Sequence, residues 1–244
     1  MNKTIYVAWM YPDVLNLHGE RGNAKAFELI SKQMGVKLEI DRIDNIDEII
    51  NFDKYDILLF NAGELKSIKA ISESLEKQIK ELKKYIKDNK VIFVTGTTGA
   101  LFADTIERLD GTYFNGLNVL NMDIKERNMV LGDDLYYSFN KMEIMGSQIQ
   151  MIDILLKDAK ELAKVKYGYG NIGENAEGAK YKNVIFTNAL GPVLVKNPWL
   201  CEYLIELALK NKDIKVKQKK VNYDLELKSL ESCKEFIDKK VNNK

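Results

Sequence analysis

One histidine, two cysteines and three prolines in 244 residues leave little of the usual catalytic inventory. With His18 alone, a two-histidine metal site is excluded, and any Ser/His or Cys/His pair must use that one imidazole. Cys201 and Cys233 are too few for a disulfide framework or a cysteine-based zinc site. An excess of charge of one sign is missing too. Thirty-seven basic against thirty-six acidic residues leave a formal charge of +1, so no whole-molecule field draws in nucleic acid or anionic lipid. No apolar run approaches the ~18–20 residues of a membrane span. The opening MNKTIYVAWM enters a strand pattern rather than a signal peptide, which makes the cytoplasm the expected address.

What is present is a globular α/β pattern, 45% hydrophobic and 30% charged. Apolar β-rich runs at 4–10, 55–60, 90–94 and 182–187, with an alternating stretch at 36–43, predict strands. Between them, Ala26, Phe27, Ile30 and Met34 recur at helical spacing, and Ile68, Ile71, Leu75, Ile79, Leu82 and Ile86 predict one helix over about 67–88. Further helices are expected at about 99–106 and 198–210. Strands that end in Gly-containing turns and alternate with helices indicate a mostly parallel sheet. Residues 112–150 switch to short alternating stretches and predict an antiparallel extension. The lysine-rich piece 210–220 and the weak helical periodicity of 224–240 read as a solvated connector and a surface helix, with a partner-docking helix as the alternative.

In such sheets ligands collect beyond the carboxyl ends of the parallel strands. That rule selects residues 11–23, 61–67, 95–99 and 187–192. The turn at 95–99 is where a nucleophile elbow would present its attacking atom, and the candidate there is Thr95. A hydroxyl needs an adjacent base, and the matching strand end offers Leu190. His18, in the first selected loop, reads as a surface or structural residue, and Glu20 beside it as an orienting acid. Gly96 and Gly99 also resemble a weak anion nest, without the lysine of a Walker loop. Tyr137 and Lys141 have a dehydrogenase-like spacing, but the Gly-rich turn lies about ninety residues too late for that fold.

With those loops in hand, the sequence resembles the GatD-like branch of the CobB/CobQ-like class I glutamine amidotransferases. The resemblance rests on Leu15-Asn16-Leu17 with Gly22-Asn23, Tyr167-Gly168-Tyr169-Gly170-Asn171, Gly178 with Tyr181-Lys182-Asn183, and Gly191-Pro192-x-Leu194 with Lys196-Asn197. It covers nearly the whole chain. It implies a mixed, mostly parallel sheet flanked by helices, glutamine hydrolysis by a Cys/His pair, no cofactor, and ammonia delivery to a Mur ligase-like subunit.

At the working positions the chain departs from that pattern. The family's Cys-Gly-Gly-Tyr-Gln falls on Thr95, Gly96, Thr97, Thr98 and Gly99, and its histidine falls on Leu190 before Gly191-Pro192. The family's substrate-anchoring arginine is expected around 140–150, whereas the four arginines here are Arg21, Arg42, Arg108 and Arg127. Glu20 stands as a retained acid, with Gly63, Gly96 and Gly99 as pocket backbone.

The expectation is therefore a catalytically inactive domain over 1–211, followed by the 212–244 tail, that binds or regulates a Mur ligase-like partner in peptidoglycan precursor metabolism. Two alternatives remain: an active amidotransferase with a relocated nucleophile, for which Cys201 is the nearest cysteine, or a sensor that binds a small amide or anionic ligand in the old pocket.

Overall fold

The computed structural model describes residues 4–215 and 219–242. The chain runs through β1 (Thr4–Met10), α1 (Arg21–Met34), β2 (Lys37–Ile43), β3 (Ile57–Phe60), α2 (Leu65–Glu76), α3 (Ile79–Lys87), β4 (Val91–Thr95), β5 (Thr105–Glu107) and β6 (Tyr113–Asn115). It continues through β7 (Met122–Phe139), β8 (Met142–Leu156), β9 (Ala163–Tyr167), β10 (Ala176–Glu177), β11 (Ala179–Tyr181), β12 (Val184–Thr187), α4 (Val193–Lys196), α5 (Pro198–Asn211) and α6 (Asp224–Asn242).

β1, β2, β3, β4 and β12 pair in parallel in the order β12-β4-β3-β1-β2, and β11 adds antiparallel to β12 at one edge. Both faces of β1, β3, β4 and β12 are covered, which is why these four read as continuous apolar runs, whereas the edge strand β2 is largely exposed or half-buried. Leu58, Phe60, Ile92 and Val94 pack with Ile68, Ile71, Leu75, Leu82 and Ile86 of α2 and α3. On the other face Val7, Leu59, Val91 and Phe93 pack with Phe27, Ile30, Leu204 and Ile205 of α1 and α5. The antiparallel extension is a second sheet. Its spine is the long hairpin β7–β8; β5, in parallel, with β6 beyond it, pairs near the start of β7, and β9, with β10 beyond it, near its end.

Two elements differ from their sequence patterns. The helix expected over 67–88 breaks at Gln78 (φ −121°), because its side-chain amide accepts from Ile50 N–H at 2.7 Å and donates to the Glu48 carbonyl at 2.9 Å. The helix expected at 99–106 is a 3₁₀ segment, Gly96–Phe102, followed by β5. Its carbonyls cannot continue an α ladder: Leu101 O accepts from Leu117, Phe102 O from Val119 and Leu120, and Ala103 O from Asn118.

The tail helix packs on the second sheet. Leu230 and Ile237 of α6 are buried beside Met145, Tyr136, Tyr167 and Trp199, while Lys234 pairs with Glu143 at 3.1 Å and Lys240 with Asp133 at 2.6 Å. Of the expected connector, residues 216–218 lie outside the described residues. Among the described residues no helix is long and apolar enough to cross a membrane.

Candidate functional site

The four loop segments selected from the sequence meet at the carboxyl end of the parallel sheet. β4 carries Thr95 to its last position, where the residue is fully buried and takes ordinary extended backbone (φ −122°, ψ 144°). The left-handed position falls one residue later, on Gly96 (φ +57°). A strained elbow that thrusts out its own side chain is therefore not built at Thr95. No α-helix follows to supply an N-terminal dipole, since the segment continues as 3₁₀.

The Thr95 hydroxyl donates to Glu20 Oε2 at 2.9 Å. Glu20 is 0% exposed and its carboxylate is fully engaged. Oε2 also accepts from Asn23 Nδ2 at 2.6 Å, and Oε1 accepts from the Gly191 backbone N–H at 2.9 Å. Asn23 extends the network, donating to Asn61 Oδ1 at 3.1 Å and accepting from Leu194 N–H at 2.9 Å. One carboxyl thus ties the first loop to the β4 turn and the turn after β12. Burial pushes its pKa up, against the pull of hydrogen bonds from Gly191, Thr95 and Asn23 and the charge of Lys196.

Leu190 is 1% exposed and is fixed by paired backbone hydrogen bonds with Ser147 at 3.0 and 2.8 Å. Its side chain lies on the elbow: a Cβ placed on Gly96 would stand 2.9 Å from Leu190 Cδ2. The Gly63 N–H donates to Thr98 Oγ1 at 3.0 Å, and that hydroxyl donates in turn to Asn61 O at 2.8 Å. Gly99 sits under the Phe186 ring, which a Cβ would approach to 2.4 Å.

The remaining candidates lie apart from this cluster. His18 is exposed, in a left-handed conformation (φ 57°), with its imidazole pKa lowered by partial burial. Cys201 is fully buried in α5, and burial raises its thiol pKa well above the ordinary value, which keeps the nucleophilic thiolate away. Three arginines are already committed: Arg42 to Asp13 and Asp44, Arg108 to Glu126, and Arg127 to Asp153 and Tyr169. Arg21 is exposed beside Glu20. Among the described residues no group of three or more His, Cys, Asp or Glu side chains could hold a metal ion.

Asn23, Asn61 and Thr98 belong to the cluster and were not singled out from the sequence as site residues. The one available signal was Gly22-Asn23, which stood among the family-like stretches. A second buried carboxyl, Glu177, was missed altogether. It accepts from Thr187 Oγ1 at 2.7 Å, Asn188 N–H at 2.8 Å and Asn188 Nδ2 at 3.0 Å, while Tyr137 of the second sheet bonds Thr187 at 2.8 Å. That network fastens the second sheet to the end of β12.

A hydroxyl bonded to a carboxylate is formally a nucleophile and a base. Here both are sealed from solvent, the carboxylate's acceptors are shared among three donors, and the side chain lying over the elbow is aliphatic. The hydrogen bonds hold four loops in one buried polar knot.

No protein-family profile matches the chain. It is 30% identical over 220 residues, 89% of each protein, to the GatD subunit of the glutamine-hydrolyzing lipid II isoglutaminyl synthase of Staphylococcus aureus. To the GatD subunit from Streptococcus pneumoniae it is 28% identical over 222 residues, 84% of this chain and 81% of that one. Among solved structures, a glutamine amidotransferase superposes with a TM-score of 0.55 at 16% identity, over 85% of this chain and 99% of the other. The PurLQS structure from Thermotoga maritima gives 0.54 at 12% identity, over 84% and 98%. These two likenesses establish the fold.

Proposed function

The chain belongs to the family of GatD subunits of lipid II isoglutaminyl synthase, and from that premise we propose that this member lacks glutaminase chemistry. In this reading it serves as a binding or regulatory subunit of a Mur ligase-like partner in peptidoglycan precursor metabolism. A cytoplasmic location goes with it, as does the division of the chain into an amidotransferase-like unit over 1–211 and a tail over 212–244.

One observation supports the reading: Thr95 is buried at the end of β4 and donates to the Glu20 carboxylate, which Asn23 and Gly191 also hold. Thioester formation needs a sulfur that can ionise and a group that shuttles protons. Thr95 and Leu190 supply neither. A relocated nucleophile at Cys201 is disfavoured by its burial inside α5, and a ligand sensor in the same place is disfavoured by Leu190 lying against Gly96.

The test is co-expression with a Mur ligase-like subunit, followed by size-exclusion chromatography and an ammonia assay on the complex. Co-elution without glutamine turnover is expected. A strictly monomeric chain, indifferent to every such subunit, overturns the binding role, and glutamine turnover overturns the inactivity.

A further inference from the structure

At the opposite pole of the first sheet, by the amino ends of β4 and β12, a cleft of about 380 Å³ opens between α3, the loop at 118–119 and the β11–β12 turn. Its floor is apolar, built from Ile86, Val119 and the ring of Tyr181, which is 50% exposed. Its rim carries Lys83, Lys87 and Lys182, and no carboxylate lines it.

Helix-end electrostatics accounts for Lys87, in the last turn of α3, but not for Lys83. Lys83 and Lys87 stand one turn apart on α3, a like-charge spacing that weakens a helix. Their neighbour Lys84 is paired with Asp53 and Asp88, whereas among the described residues Lys83 and Lys87 have no acidic partner. Lys182 takes a left-handed conformation (φ 52°), where glycine or asparagine would be unstrained. It bonds the Lys87 carbonyl at 3.0 Å, which fastens the turn to the end of α3 and holds a third ammonium beside the other two.

We propose that this cleft docks an acidic segment of a partner protein that inserts one apolar side chain between the three lysines. The argument is charge complementarity around an apolar floor. The volume admits one large side chain with flanking carboxylates on the rim. A net charge of +1 gives no wider field for nucleic acid. The inference is independent of the partner's being a ligase, and it uses the end of the sheet that the sealed cluster leaves free.

The test follows backbone amides of the ¹⁵N-labelled full chain by NMR while the peptide acetyl-Glu-Asp-Phe-Glu-Asp-amide is added. Comparison probes are the same peptide with Ala for Phe, its Gln/Asn counterpart, and inorganic tripolyphosphate. Shifts confined to residues 83–87, 118–119 and 181–182 are expected. Affinity should weaken about tenfold with Tyr181→Ser or with the Ala peptide, as for an aromatic anchor, and should fall with salt. Lys87→Glu should weaken it as well, and Lys83→Gln gives the same reading on a milder surface change. Lys25→Glu, on α1, should leave it unchanged. Absence of binding at millimolar peptide, shifts scattered over other lysines, or equal binding of the Ala peptide or tripolyphosphate overturns the proposal.

Discussion

Glu20 holds three donors in a place from which water is excluded, so its removal leaves Thr95, Asn23 and Gly191 short of a partner. Glu20→Ala should cost about 3 kcal/mol, the scale for stripping a buried hydrogen-bonded group, and urea unfolding measures it. The pH dependence has a definite sign. Burial raises the folded pKa above the ordinary 4.5, so as pH rises the unfolded chain gives up this proton first. The contribution is therefore full below the unfolded value and declines as pH climbs through the folded one. Relative to Glu20→Gln, the wild type should lose stability across that window, and a relative gain would contradict the assignment. Gly99 makes a second case. Its Cβ would strike Phe186, so Gly99→Ala should destabilise by about 1–3 kcal/mol, and Phe186→Leu in the same chain should recover part of that loss.

Among the elements, those whose pattern comes from burial on a regular surface were legible: five parallel strands, α1 and α5 lie within a few residues of where their apolar periodicity puts them. Two were not, and in both a distant partner decides. Gln78 breaks a long amphipathic run because it bonds residues 48 and 50, and the segment after Thr95 cannot become an α-helix because residues 117–120 claim its carbonyls. For α6 the weak periodicity was visible, but its seat on the second sheet depends on Tyr136, Met145 and Trp199, far off in sequence. Leu230→Ala with Ile237→Ala should release α6, with its amide protection lost while the first sheet keeps its own. Glu143, whose pKa is drawn down to about 2 by hydrogen bonds from Tyr136, Lys166 and Lys234, should hold α6 above the ordinary carboxyl range and let go as pH falls toward that value. Hydrogen exchange at graded pH follows it.

For the molecule as a whole, the rule that ligands gather at strand carboxyl ends selects four segments that hydrogen bonds join in the folded chain. Thr95, Leu190 and Glu20 were named from the sequence, but what Glu20 touches was not readable there, because its partners Gly191 and Thr95 lie 171 and 75 positions away. The distinction between an open pocket and a closed knot lives in those long-range contacts. The most direct measurement is ammonia release from glutamine by the purified chain, alone and with a co-expressed ligase subunit, beside Thr95→Ala and Cys201→Ala. The account predicts that the wild type matches both variants at background. Turnover by the wild type that either substitution abolishes would contradict it.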